Sequence, residues 1–88
     1  MSDHQEAVDR IQSVKEAHES ALLTKANVVG VGIGLRQDGK RHTDEVVLVV
    51  MVDKKVPRAR LAPTDIIPRQ LDGVPVDVQA VGNIATQT

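Results

Sequence analysis

Asn27 to Lys55 constrains this chain more than any other stretch: NVVGVGIGLRQDGKRHTDEVVLVVMVDKK. Strand side chains alternate between two faces. Over Val28 to Leu35 that alternation sends Val29, Val31, Ile33 and Leu35 one way and Val28, Gly30, Gly32 and Gly34 the other. The first face is a β-branched ridge suited to a core. The second is nearly bare backbone, and glycine inside a strand often marks the close approach of another group. Farther on, Val46 to Val52 is an unbroken apolar run of seven residues, which fits a strand covered on both faces. Between the two runs, residues 37–43 are polar, and Asp38-Gly39 is a turn signal. The pattern predicts an antiparallel hairpin over 27–55, with Gly30, Gly32 and Gly34 as close-packing glycines.

GVGIG does not make a dinucleotide site. The G-x-G-x-x-G fingerprint needs a sixth-place glycine followed at once by a helix. Counting from Gly30, that place is Leu35, and the chain then enters a charged turn. A P-loop motif is also missing.

Residues 1–25 read as a helix. Ser2 and Gln5 fit a capping box, and Asp3 and Glu6 suit the positive end of the helix dipole. Ala7, Ile11, Val14, Ala17 and Ala21 recur at helical spacing, with Leu22 beside them. This narrow, alanine-rich stripe predicts close packing on a sheet, with the glycine face as its floor. Asn27 can supply a left-handed cap at the exit. Residues 56–66 form a proline-rich connection, with Pro57 and Pro63 and then Pro68 just beyond it. That density forbids a long helix or a central strand, though one helical turn can begin at Pro63. Residues 67–82 read as a second hairpin turning at Asp72-Gly73, with Pro75 at an edge or at a strand start. Residues 83–88 form a polar tail. The predicted fold is therefore α+β: one domain with an N-terminal helix on a small, mostly antiparallel sheet of about four strands.

Composition removes several functions. The 88 residues include no cysteine, so disulfides and thiolate metal sites are out. There is no Phe, Trp or Tyr, which argues against base stacking on single-stranded nucleic acid. Net charge is −1, so nothing draws the whole molecule to nucleic acid or a membrane surface. No apolar stretch reaches the length of a membrane span and the N-terminus is charged, which predicts a cytoplasmic protein. His4, His18 and His42 show no metal-ligand spacing. Ser2, Ser13 and Ser20 belong to the helix or its cap, where no nucleophile elbow forms. The expectation is a protein that is not an enzyme and uses no cofactor or metal.

Charge is unevenly spread. Residues 1–24 carry five acids against Arg10 and Lys15, whereas residues 25–60 carry eight bases against four acids. In an antiparallel pair the end of the second strand returns to the start of the first. Lys25 then falls near Lys54 and Lys55, with Arg58 and Arg60 following. This basic corner either docks an acidic partner or a phosphate, or simply shields a strand end from pairing.

VVGVGIG, EVVLVVMVDKKVP and LAPTDIIPRQLDGVPVDVQAVG together resemble the leader module of narrow-leaf-type trypsin-like serine peptidases. The resemblance covers about Leu22 to Gly82, and IP…LDGVPVDV is its most distinctive part. In that family the module precedes a protease domain that carries the triad. This sequence ends at Thr88, where that domain would begin, and no position here matches a catalytic residue. The resemblance implies a related fold and an assembly role. Three functions are expected in order: a non-catalytic protein-interaction or self-assembly module, an accessory docking or inhibitory subunit of a separately encoded serine protease, and a small-ligand or anion binder. A domain this small, without disulfide or metal, is expected to be a homo-oligomer.

Overall fold

The computed structural model describes residues 3–39 and 41–81. Ser2, and with it the capping box, lies outside the described residues, as do Gly82 and the tail 83–88. The elements are helix α1 (Asp3–Leu23), strands β1 (Val28–Asp38) and β2 (Arg41–Val52), 3₁₀ turns at Arg58–Arg60 and Pro63–Asp65, and strands β3 (Gln70–Leu71) and β4 (Val74–Ala80). They build an α+β fold, with one helix on a four-stranded sheet of order β1-β2-β4-β3. β1/β2 and β3/β4 are antiparallel, and β2/β4 is parallel. No helix among the described residues is long and apolar enough to cross a membrane.

α1 buries Ile11, Val14 and Leu22 against Val31 of β1, Leu48 and Val50 of β2, and Val74 and Val76 of β4. Each such side chain contributes about 1.5–3 kcal/mol when fully buried, and this packing, more than helix propensity, holds the helix in place. The predicted alanine stripe is corrected: Ala17 and Ala21 are exposed. The buried line steps instead through residues 11, 14–15, 18 and 22, so His18 occupies the place where an apolar residue would continue it. His18 Nε2 donates to Asp72 Oδ2 at 2.9 Å, and Arg10 lies beside Gly73. The helix thus runs from the start of β1 across the sheet to the β3–β4 turn.

After Leu23 the chain winds down through Thr24 N–H to Ala21 O and Lys25 N–H to Leu22 O. Asn27 is left-handed, with φ 71°. It does not cap the helix. It occupies the third place of the turn closed by Val28 N–H to Lys25 O, where a type II turn needs positive φ.

The glycines do not form the floor for α1. From Val31 to Leu35 the β1/β2 register is regular, Val31 opposite Val50 and Ile33 opposite Leu48. This puts Val31 and Ile33 under the helix and the glycines on the reverse face. There the neighbouring strand covers them: Met51 Cε would lie 3.0 Å from a Cβ at Gly30, and Val49 Cγ2 3.2 Å from one at Gly34. Side chains on β2 are larger than any cover on β1, so they lean into the space that the glycines leave.

Two irregularities also break the simple alternation. A bulge between Val28 and Gly30 turns Val28 toward the core and leaves Val29 56% exposed. An extra residue in one strand shifts every side chain beyond it to the other face. A second irregularity, between Leu35 and Gln37, bends the end of β1. Leu35, at this end, is 40% exposed.

β4 is an inner strand, so of the two readings of Pro75, at an edge or at a strand start, the second holds. Pro75 fits because it precedes the β2/β4 ladder, which begins at Leu48 opposite Val76. The β3–β4 turn has positive φ at both Asp72 (50°) and Gly73 (81°), the type I′ signature. The predicted second hairpin is otherwise short: Ile67 to Arg69 are not strand. β2 is longer than predicted and starts at Arg41.

Candidate functional site

The bend in β1 has a consequence on the reverse face of the sheet. Gln37 N–H donates to Asp77 Oδ2 of β4 at 2.8 Å, and Gln79 Nε2 donates to Leu35 O at 3.0 Å. β2 lies between these strands, and in a flat sheet they would sit roughly 9.6 Å apart. An aspartate side chain cannot span that distance, so the end of β1 curls over β2 toward β4. Val47, on the same face of β2, is completely buried. The curl also carries Arg36 to β4: its Nη1 lies 4.0 Å from Asp77 Oδ1, while its Nε donates to Glu45 Oε1 at 2.6 Å.

On its other side β4 is mostly unpaired among the described residues. Val76 N–H donates to Arg69 O at 2.9 Å, and the next residue back along that segment is Pro68, which has no N–H to extend a ladder. Backbone groups of successive strand residues point alternately to opposite edges. Val76 points away from β2, and Val81 N–H points to Val52 O on β2. By the same alternation, the N–H and C=O of Val78 face the open edge.

Two adjoining cavities flank this edge. One, of about 470 Å³, has Val76, Asp77 and Val78 as its floor and Arg36, Lys55, Arg58 and Arg69 around it. The other, of about 220 Å³, is largely apolar, lined by Val52, Val56, Leu61, Ile67 and Val78 among others. Lys55, Arg58, Ile67 and Val78 border both. Arg58 Nη2 donates to Ile67 O at 3.3 Å, which steadies the guanidinium at the junction. Lys55 and Arg69 have no ion-pair partner among the described residues. Asp77, the one carboxylate among the described residues that line the larger cavity, already accepts from Gln37 and Gln79.

The basic residues read from the sequence divide. Lys54, Lys55 and Arg58 line these cavities. Lys25 is turned to the 3₁₀ turn at Pro63–Asp65, where its Nζ donates to Thr64 O at 2.7 Å. Beside it Ala26 N–H donates to Asp65 Oδ1, so this corner ties the connection to the exit of the helix. Arg60 is exposed and lines neither cavity. Arg36 and Arg69 were not legible as site residues. The first arrives through the curl of β1 and the second through the parallel return of β4, and no local pattern encodes either. Gly30, Gly32 and Gly34 lie across the sheet from this edge, under Met51 and Val49.

Among the described residues no three His, Cys, Asp or Glu side chains are grouped to hold a metal ion. No protein-family model matches the sequence, and comparison with curated proteins gives no match.

Proposed function

We propose that this domain is a non-catalytic protein-interaction module that associates with further copies of itself through the outer edge of β1. One observation carries the proposal. β1 is an eleven-residue strand at the rim of the sheet, and from Val28 to Leu35 it has no charge and no proline. Edge strands are normally blunted by lysine, proline or shortness, because their free N–H and C=O groups template pairing with another chain. The other rim follows that rule, since β3 has two residues and Pro68 precedes it. β1 carries only the irregularities at its two ends; Gly30 to Leu35 between them has none of these devices, and the exposed side chains of Val29 and Leu35 lie at its ends. Antiparallel pairing of β1 with its twofold mate would extend the sheet across two copies, a closed arrangement of the commonest symmetry.

Sedimentation equilibrium over a micromolar dilution series tests this. The expected result is an average mass above that of the monomer, falling on dilution. A single monomeric species throughout the series rules the proposal out.

A further inference from the structure

We infer that the open edge of β4 receives an extended segment of a protein partner, added as a strand, whose side chains alternate between acidic and apolar. The inference is independent of self-association, which concerns the opposite rim of the sheet. It starts from the backbone: Val78 presents an N–H and a C=O to a gap that the described residues leave beside β4, because Pro68 stops the β3 pairing at Arg69 and Val76. An added strand supplies the missing partners, as in other cases of strand augmentation.

The side chains set the chemistry. In a strand paired to β4, successive residues point to opposite faces of the sheet. On the helix-bearing face they meet the largely apolar cavity of Val52, Val56, Leu61 and Ile67, which Lys55 and Arg58 also border. On the other face they meet Arg36 above the Asp77 side of β4, with Lys55, Arg58 and Arg69 around the same cavity. Apolar residues therefore suit one parity and carboxylates the other. Arg36 is paired with Glu45, but Lys55, Arg58 and Arg69 have no ion-pair partner among the described residues, and the cavity's carboxylate, Asp77, is already engaged by Gln37, Gln79 and Arg36. The same charge disfavours a second copy at this edge, since antiparallel pairing of β4 with its own mate would bring two such clusters together. An acidic partner relieves that repulsion, and basic clefts of this kind also speed encounter with anionic segments.

The experiment uses the full chain and a short fluorescent peptide of alternating glutamate and valine, followed by anisotropy at low salt. The expected result is saturable binding that weakens with salt. Arg58→Glu and Arg69→Glu, both at exposed positions, are expected to weaken it by roughly tenfold or more, with circular dichroism confirming that each variant is folded. The same peptide N-methylated on every second residue, which removes strand hydrogen bonds on either edge according to the parity chosen, is expected to lose binding in one of its two parities. Equal binding by both N-methylated forms, or by a peptide with its glutamates in one block and its valines in another, overturns strand addition. Displacement of the peptide by inorganic phosphate or citrate at comparable concentration also overturns it and makes the cleft a small-anion site. No binding by the alternating peptide to a folded protein overturns the inference entirely, and leaves the sedimentation result for β1 unaffected.

Discussion

At the scale of single residues, the three strand glycines are not equivalent. A Cβ at Gly32 would meet Met51 Cε at 3.7 Å, an ordinary contact; at Gly30 the same methyl is 3.0 Å away; at Gly34 the neighbour is Val49 Cγ2 at 3.2 Å. The Met51 side chain ends in a flexible thioether that can swing aside, whereas Val49 is β-branched and fixed at χ1. Gly32→Ala is therefore expected to be neutral or to stabilise by up to about 1 kcal/mol, by restricting the unfolded chain. Gly34→Ala is expected to destabilise by about 1–3 kcal/mol through overpacking. Urea unfolding of the two variants checks the order, and a larger loss at Gly32 than at Gly34 would refute it. Gly73 is a separate case, because its φ of 81° is left-handed; Gly73→Ala is expected to cost about 1–2 kcal/mol in the same assay. Alternation in the sequence was enough to isolate a glycine face. It could not say what covers that face, because Met51 and Val49 belong to the neighbouring strand and reach it only once the register is set.

At the scale of elements, the helix, both hairpin turns and the single 3₁₀ turn begun by Pro63 were legible, each from a local signal: apolar spacing, Asp-Gly pairs and proline at a first turn. Of what was not, two features matter most. One is the line along which the helix is buried, because alanine counts as apolar in a periodicity yet has too little surface to decide which side faces in. Ile11, Val14 and Leu22 decide it, and they tilt the buried line toward His18, away from Ala17 and Ala21. Leu22→Ala is accordingly expected to cost about 2–5 kcal/mol, while Ala21→Lys should stay within about 0.5 kcal/mol of wild type. Thermal unfolding followed at the helix signal distinguishes them, and a large loss for Ala21→Lys would restore the alanine stripe. The other is the parallel pairing of β2 with β4. Two hairpins in sequence suggest a meander, and only the length and proline content of 53–69 permit the return that brings Val76 beside Leu48. That return creates the basic cleft, so the candidate site was legible only as far as Lys54, Lys55 and Arg58, and Arg36 and Arg69 followed from tertiary structure alone.

At the scale of the molecule, the sheet has two rims of opposite character, and they call for different partners. The β4 rim is interrupted by proline and ringed with cations, so it repels its own kind. The β1 rim is long and neutral, and its Val29 side chain, turned outward by the bulge, is 56% exposed. If β1 pairs with β1 of a second copy, a lysine at this position puts a charge on the paired edge, the device that blunts natural edge strands. Val29 takes no part in the buried cluster around α1, so Val29→Lys should leave the fold of the single chain intact. Association that favours the folded state raises its apparent stability by mass action, and the gain grows with concentration. The melting temperature of the wild-type protein is thus expected to rise with concentration, and that of Val29→Lys to be independent of it, the two converging at high dilution. Differential scanning calorimetry over a wide concentration range reads both curves. A wild-type melting temperature that does not move with concentration removes self-pairing. A concentration dependence that survives in Val29→Lys places the contact elsewhere than on the outer edge of β1.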